Sequence, residues 1–265
     1  MALPSYATAL GDFPQMYERL LVGPLFRHWA EALLDAADIA SLQSALDIAC
    51  GTGIVARLLR QRLEDRGRIV GVDMSDPLLA VAREVAPEID WREGDAAALP
   101  IDEERFDAVL CHQGLQFFAD KPRALDEMRR VSAPRARLAI AVWRPVGDAP
   151  LLQALHDTAE RHLGPIHDQR YGFGDADALR NLVGGAGFED VRVERVSLPV
   201  QFPDAAVFVR MNAAAMVAMS RAAEAQRAQL IEALTADGME AARAHCDEEG
   251  LRFDMAANFA LARAP

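Results

Sequence analysis

Residues 45–62 read ALDIACGTGIVARLLRQR and contain the strongest indication of the fold class. The apolar run 45–49 predicts a short buried strand. Gly51 and Gly53 then predict a tight turn, because glycine adopts backbone angles that other residues avoid. Residues 54–62 return to helical spacing. A strand, a glycine turn and a helix in this order indicate an open α/β sheet with a ligand at the helix N-terminus.

The same alternation continues outward along the chain. Apolar segments that predict strands alternate with segments of helical periodicity, which is typical of a doubly wound, parallel sheet. The predicted strands are 45–49, 68–72, 89–92, 106–111, 137–143, 191–202 and 252–262. We therefore expect an α/β protein with a mostly parallel, Rossmann-like seven-stranded sheet. Residues 13–37 predict two short helices before it, separated at Gly23-Pro24.

Three segments follow from this reading. Residues 1–40 are predicted as N-terminal cap helices, and 41–203 with 250–265 as the cofactor-binding core. Residues 204–249 are rich in Ala, Met, Arg and Glu with helical periodicity, and they are too long for a plain connection between two strands. We interpret them as a helical lid or substrate cap before the last strand. A dimerisation or packing element is the alternative.

Composition excludes several classes of protein. The 265 residues carry a formal net charge of −12, which argues against a nucleic-acid partner because phosphates require Lys and Arg. Three cysteines without a CxxC pair argue against a disulfide framework and against a metal site. The N-terminus lacks the pattern of a signal peptide, and no apolar run is long enough to span a membrane. The expected location is cytoplasmic.

The glycine loop alone fits two cofactors. Gly51 to Ala56 matches the GxGxxA form of a dinucleotide fingerprint, and Asp73 follows Gly53 by 20 residues, where it would accept ribose hydroxyls. Asp47 separates the two readings, because an acid beside a pyrophosphate is unfavourable while an acid beside an ammonium or sulfonium is not. The acidic turn Gly94-Asp95-Ala96 suits the amine of adenine.

Four motifs together resemble class I S-adenosylmethionine-dependent methyltransferases, in particular the ubiquinone/menaquinone-biosynthesis-like group that acts on small molecules. They are LDIACGTG (46–53), with Ala49 in place of the usual first glycine, VGVDMS (70–75), EGDAAALPIDEERFDAVLCHQGLQFFAD (93–120) and ALDEMRRVSAPRARLAIAVW (124–143), where Arg135-Ala136 replaces a glycine pair. The resemblance implies S-adenosyl-L-methionine as cofactor. It implies a cofactor site made of Asp47, Ala49, Gly51, Thr52, Gly53, Asp73, Met74, Gly94, Asp95, Ala96 and Gln113.

The N-terminal helices resemble those that cover the cofactor in this group. Tyr17 and Phe26 are candidate contacts to the cofactor, and helix packing is the alternative for both. Methyl transfer from a sulfonium mainly requires alignment, with a base only where the nucleophile arrives protonated. His112, at the end of the fourth strand, is the candidate catalytic base; a loop hydrogen bond is its alternative role.

Acceptor contacts are predicted from the second half of the chain. His167 and Tyr171 are candidates in a loop, and Met211 and Met216 are candidates on the predicted lid, because methionine adapts to irregular apolar ligands. Ordinary helix core is the alternative for the methionines. Arg170 and Arg210 could pair with a carboxylate of the acceptor, or be solvated.

The sequence therefore predicts methyl transfer to an oxygen, nitrogen or carbon of a small-molecule acceptor, aromatic or apolar and of natural-product or quinone type. A protein that binds the cofactor without methyl transfer, as a partner subunit or for another rearrangement, is one alternative. An NAD-dependent oxidoreductase is another, although the chain offers no Tyr-xxx-Lys pair for it. A homodimer is possible.

Overall fold

The computed structural model describes residues 13–39, 42–63, 67–103 and 105–265. The chain forms two compact units. The larger unit consists of 26–144, 173–196 and 257–265, and the smaller one of 145–172, 197–256 and the described part of 1–25. Residues 1–12 and 40 of the predicted cap segment lie outside the described residues.

The strands form one sheet of mixed direction. Their bounds are β1 Ser44–Ile48, β2 Arg68–Asp73, β3 Asp90–Glu93, β4 Phe106–His112, β5 Ser132–Trp143, β6 Glu189–Phe202, β7 Cys246–Asp247 and β8 Gly250–Arg263. The order is β3-β2-β1-β4-β5-β8-β6, and the short β7 pairs with β8. The neighbours from β3 to β5 are parallel, while β5 and β8 are antiparallel. This confirms the predicted doubly wound, mostly parallel sheet.

The strand order places a ligand site at a definite point of the larger unit. β1 lies between β2 and β4, so the chain winds outward in both directions from β1. Ligands of open α/β sheets bind beyond the carboxyl ends of the strands at such a reversal. The ends of β1, β2 and β4 carry Asp47, Asp73 and His112, respectively.

Helices cover the sheet of the larger unit. They are α2 Arg27–Ala36, α3 Ile54–Arg62, α4 Asp76–Val85, α5 Lys121–Arg130 and α7 Ala176–Gly185. Side chains at Ser75 and Asp120 accept hydrogen bonds from the first turns of α4 and α5, which stabilises those starts. Fully buried apolar side chains fill the core, among them Leu46, Val109, Leu125, Ile140 and Leu179.

The predicted break at Gly23-Pro24 was wrong. After α1 (Phe13–Tyr17), a π-helix runs from Glu18 to Phe26 with Pro24 inside it, and α2 begins directly at Arg27. A proline lacks the backbone N–H that would continue an α-helix. Here the helix does not end at Pro24 but adopts π geometry around it.

The smaller unit is built mainly from three helices. They are α6 Pro150–Leu163, α8 Ala205–Met219 and α9 Glu224–Ala242, which pack against one another. Gly238 permits this packing, because a Cβ there would lie 2.7 Å from Val209 and 3.0 Å from Leu155. The helical character predicted for 204–249 is confirmed. Within the described ranges, no helix is long and apolar enough to cross a membrane.

Candidate active site

The loop after β1 has an unusual backbone. Ala49, Gly51 and Gly53 all have left-handed φ angles, of 56°, 57° and 87°. Such an angle is strained for alanine, and Ala49 holds it in contact with Gly114: a Cβ on Gly114 would lie 2.4 Å from that of Ala49. The loop therefore keeps the shape expected of a glycine, although its first small residue carries a methyl group.

The two glycines of the loop serve different purposes. A Cβ at Gly53 would lie 2.2 Å from the indole of Trp91, so this glycine lets the start of α3 pack on a buried ring. The ring itself is fixed, because its Nε1 donates to the carbonyl of Ala86 at 2.8 Å. A Cβ at Gly51 would meet nothing within 4 Å. Gly51 thus borders open space, as a residue in contact with a ligand would.

Asp73 connects the end of β2 to this loop. Its Oδ2 accepts from the N–H of Gly51 at 2.8 Å and its Oδ1 accepts from that of Ser75 at 2.9 Å. Burial raises the pKa of this carboxyl above 3.8, and the backbone hydrogen bonds partly offset the effect. A carboxylate oxygen has two acceptor positions, so each oxygen can still accept a ligand hydroxyl.

Asp47 is a buried acid with half of its carboxyl unsatisfied. Its Oδ2 accepts from the N–H of Ala56 at 3.2 Å, whereas Oδ1 is buried and has no partner among the described residues. Burial, followed by the charge of Asp73, raises the pKa of Asp47 to about 8. A buried oxygen without a partner is costly, and a cationic ligand group beside it would remove that cost. Asp47 therefore favours a cation at this loop.

The turn after β3 presents polar and apolar groups side by side. Asp95 is exposed, its Oδ1 accepts from the N–H of Ala97 at 2.9 Å, and the following Ala96 is buried. The N–H of Gly94 donates to the carbonyl of Asp73 at 2.9 Å, which fixes this turn beside β2. Met74 is 45% exposed although it is large and apolar. An exposed methionine directly after Asp73 suits the flat face of a purine.

Three buried polar side chains lie at the ends of β1 and β4. His112 is 8% exposed, its Nε2 has no partner in the described part of the chain, and burial lowers its pKa to about 3. Gln113 has a left-handed φ of 60° and its Nε2 is likewise unpaired within the described ranges. Thr52, in the glycine loop, is 1% exposed with an unpaired Oγ1. His112 is therefore neutral near pH 7, rather than a base of ordinary pKa as its residue type suggests.

Sequence reasoning missed Gln116 and Trp91. Gln116 lies in the 3₁₀ turn Leu115–Phe117 and is 6% exposed, although glutamine is rarely so buried. The spacing of Gln113 and Gln116 by one helical turn was the available signal. Trp91 gave none, because an aromatic residue in a strand is ordinary.

Several predicted contacts lie in the smaller unit. Tyr17 packs with Phe13 and Met211 in one apolar cluster. Met216 is 1% exposed in another, beside Ile166 and Ile231. The methionines thus occupy helix core, the alternative that the sequence left open. Phe26 belongs to the larger unit, where its ring packs edge-on against His112 at 6.2 Å between centroids.

Most of the remaining residues predicted to contact the methyl acceptor lie in the loop before α7. His167 is exposed, and Tyr171 is half-buried with a pKa that burial raises to about 12. Both nitrogens of the Arg170 fork bind the Asp168 carboxylate, at 2.9 and 2.7 Å, and the same guanidinium lies 3.6 Å from the sulfur of Met216. Arg210 pairs with Glu232. Both arginines therefore have internal carboxylate partners.

Comparison with known proteins agrees with this geometry. Residues 46–140 match the model of a methyltransferase domain. A 2-phytyl-1,4-naphthoquinone methyltransferase of Thermosynechococcus vestitus is 33% identical over 196 residues, which cover 67% of this chain and 87% of that protein. The chain belongs to the class I S-adenosylmethionine-dependent methyltransferases. A demethylmenaquinone methyltransferase of Lactiplantibacillus plantarum is 28% identical over 190 residues. The matched region covers 64% of this chain and 80% of the L. plantarum protein.

Solved structures share the fold at low identity. A phosphoethanolamine N-methyltransferase of Haemonchus contortus, in complex with S-adenosylhomocysteine, has a TM-score of 0.61 and 17% identity over 100% of this chain and 60% of its own. The YcgJ protein of Bacillus subtilis has a TM-score of 0.57 and 17% identity, covering 89% of this methyltransferase and 97% of its own chain. Some relatives are matched over less of their length: that of Trichormus variabilis is covered to 58%.

The loop fits the cofactor of this family, S-adenosylmethionine. Open space at Gly51, the unpaired Oδ1 of Asp47 and the unpaired Oγ1 of Thr52 are the places where a ligand with an ammonium and hydroxyl groups finds partners within the described residues. The unpaired carboxyl oxygen of Asp47 is a better partner for a cation than for a pyrophosphate, whose charge has the same sign as an ionised carboxylate.

Proposed function

We propose that this methyltransferase transfers the methyl group of S-adenosylmethionine to a ring carbon of a quinone-type aromatic molecule in its reduced, hydroquinone form. The buried acid Asp47 at a glycine loop is the observation that carries the cofactor assignment. The names of the relatives in T. vestitus and L. plantarum support the acceptor class. The reduced form follows from chemistry, because an electrophilic methyl requires an electron-rich carbon and a quinone ring is electron-poor.

In the proposed reaction, the cofactor supplies a methyl group already activated by its sulfonium. The new C–C bond takes an electron pair of the ring, the methyl–sulfur bond breaks, and its electron pair stays on sulfur. The ring carbon then loses one proton to solvent water. When the cofactor is bound, the carboxylates of Asp47 and Asp73 would hold its ammonium and ribose hydroxyls, and Gln113 would contact its methionine part.

His112 is proposed to face the acceptor as a neutral imidazole. Because its pKa is about 3, it stays uncharged across the whole neutral range and exerts no charge repulsion on the sulfonium. A neutral ring nitrogen can accept a hydrogen bond from an acceptor hydroxyl. This raises the electron density of the ring without full proton transfer.

The test is transfer of a radiolabelled methyl group to 1,4-naphthohydroquinone under anaerobic, reducing conditions. We expect the label in the organic product with the wild-type chain, and its loss in an Asp73→Ala variant, which removes the acceptor of the loop N–H. A chain that binds S-adenosylmethionine but labels no member of a panel of hydroquinones, phenols and amines would contradict methyl transfer and favour a non-transferring cofactor protein.

We further propose that residues 204–249 provide part of the acceptor specificity. Their helices would act as a substrate cap, and Met211 and Met216, which are buried in the helix core, are not assigned to the acceptor. A cytoplasmic location and a homodimer also stay predictions.

A further inference from the structure

Two buried glutamines follow β4, and their amides form a pair. Nε2 of Gln116 donates to Oε1 of Gln113 at 3.4 Å. The other two amide atoms of the pair, a donor and an acceptor, are unpaired. Nε2 of Gln113 and Oε1 of Gln116 are buried and have no partner in the described part of the chain. Buried amide atoms are nearly always hydrogen-bonded. Two unpaired ones in a single pair therefore point to a ligand.

The backbone around the pair is held in place. Gln113 has a left-handed φ of 60°, and its N–H donates to the carbonyl of Ala141 on β5 at 2.9 Å. A strained residue that is tied down in this way keeps its side chain in one direction, and such strain is typical of functional sites. Gln113 thereby fixes the amide of Gln116.

Two neighbours of Gln116 in sequence are an aromatic residue and a neutral histidine. Phe117 follows it and is half-buried. His112, four residues earlier, is neutral and packs against the ring of Phe26. A flat apolar ligand suits this environment better than a charged one.

The polar groups of the cofactor already have proposed partners elsewhere. Asp47, Asp73 and Asp95 accept from its ammonium, ribose and adenine amine, and Gln113 lies beside its methionine part. Oε1 of Gln116, a hydrogen-bond acceptor, is not assigned to any of these cofactor groups. An amide oxygen only accepts hydrogen bonds, so its ligand must carry a donor.

We propose that Gln116 positions the methyl acceptor by accepting a hydrogen bond, at Oε1, from an aromatic hydroxyl group, while Gln113 fixes the amide orientation. This assignment rests on the proposed function, because it assumes an aromatic methyl acceptor. It explains how the site distinguishes a hydroquinone, which has a hydroxyl donor, from a quinone, which has none. Gln116 is a specificity-determining residue of this reaction, and it donates no proton and forms no bond to carbon.

The test compares two probes that differ only in the donor, 1-naphthol and 1-methoxynaphthalene. Each is titrated by calorimetry into the full-length chain saturated with S-adenosylhomocysteine. The wild type is expected to bind 1-naphthol about tenfold more tightly, as one buried hydrogen bond implies. Gln116→Met, which has a similar length and no amide, is expected to show a smaller preference for 1-naphthol than the wild type, because one of the two proposed hydroxyl acceptors, Gln116 and His112, is lost.

Two further variants keep the result interpretable. Gln116→Glu retains an acceptor oxygen and is expected to keep the preference for 1-naphthol. Gln61→Met makes the same exchange at an exposed position near the end of α3 and is expected to behave as wild type. The affinity for S-adenosylhomocysteine is expected to stay within about twofold in all variants, since Gln116 is not assigned to the cofactor.

The inference is overturned if the wild type binds the two probes equally or binds neither, or if Gln116→Met keeps the wild-type preference. The wild-type comparison needs no folded variant, so misfolding of Gln116→Met leaves the inference testable. The methyl-transfer assay with 1,4-naphthohydroquinone separates the two proposals. Transfer by the wild type without a 1-naphthol preference overturns the role of Gln116 and leaves the proposed function standing.

Discussion

The carboxyl edge of β1, β2 and β4 in the larger unit differs sharply from the helices α6, α8 and α9 of the smaller unit. At the edge, polar atoms are buried and unsatisfied within the described residues, and the backbone is strained at Ala49 and Gln113. In the helices, His162 pairs with Asp237 and Arg210 pairs with Glu232, while the methionines are core. Buried polar atoms without a partner cluster at the edge, whereas in the described residues of the three helices the unpaired buried atom is Nδ1 of His156. A cluster of such atoms indicates a ligand site, and apolar composition alone indicates packing.

The largest expected effect contrasts the two glycines of the loop. Gly53→Ala is expected to lower the free energy of unfolding by about 2–5 kcal/mol, because it adds strain at φ 87° and a clash with Trp91. Gly51→Ala is expected to cost only about 1 kcal/mol, since a Cβ there meets nothing within 4 Å.

The measurements are urea unfolding and calorimetric titration with S-adenosylhomocysteine. Gly51→Ala is expected to fold normally and to bind at least tenfold more weakly, because its methyl group enters the space assigned to the cofactor. If Gly51→Ala bound as the wild type does, the open space at this residue would not belong to the cofactor site.

The second prediction concerns the helices of the smaller unit. Met216→Ala is expected to lower the free energy of unfolding by about 2–4 kcal/mol, since Met216 is 1% exposed and truncation leaves a cavity. Arg210→Ala, which removes an exposed ion pair with Glu232, is expected to cost less than about 1 kcal/mol. Urea unfolding of both variants checks the contrast. A Met216→Ala variant of unchanged stability and lower affinity for the acceptor would return Met216 to the acceptor site.

The smallest expected effect is a pH dependence at Asp47. Its folded pKa of about 8 lies above the ordinary 3.8, so the folded chain without cofactor holds a proton there that the unfolded chain has lost. The stability contributed by the neutral acid is therefore present at low pH and is lost as the pH rises through about 8. An ammonium group beside Asp47 favours its ionised form, so cofactor binding is expected to release a proton.

Calorimetry in buffers of different ionisation enthalpy measures this release. We expect release of up to about one proton per S-adenosylhomocysteine at pH 7, and an affinity that rises by at most tenfold per pH unit between pH 6 and 8. Asp47→Asn is expected to abolish both effects. Asp95→Asn, at an exposed acid of the same site, is expected to weaken binding and to keep the pH dependence. Proton release that persists in Asp47→Asn would assign it to another group, with Asp73 the first candidate.

Most of the fold of the larger unit was predictable, because strands buried on both faces read as short apolar runs between glycine turns and helices. The positions of Asp47 and Asp73 were predictable for the same reason: both stand at strand ends, where topology fixes their position. The course of the chain at Pro24 was not, since whether a helix ends or widens at a proline depends on packing. Trp91 and Gln116 were also missed, because burial of a side chain after a strand is a tertiary property.

The resemblance in sequence also left Ala49 and Arg135 open, each at a place where relatives have glycine. The structure shows left-handed φ angles of 56° and 63° at these two residues. The turns therefore keep their geometry and bear the strain. Loop shape is set by the contacts on either side, such as Gly114 against Ala49, which no single sequence reveals.

The loop 47–53 is proposed to bind a sulfonium cofactor rather than a nicotinamide one. Calorimetric titration of the folded, wild-type chain with S-adenosylhomocysteine and, separately, with NAD distinguishes the two. We expect a dissociation constant in the micromolar range or below for S-adenosylhomocysteine and no measurable heat with NAD. Binding of NAD by the folded chain, or failure to bind S-adenosylhomocysteine, would show that this assignment is wrong.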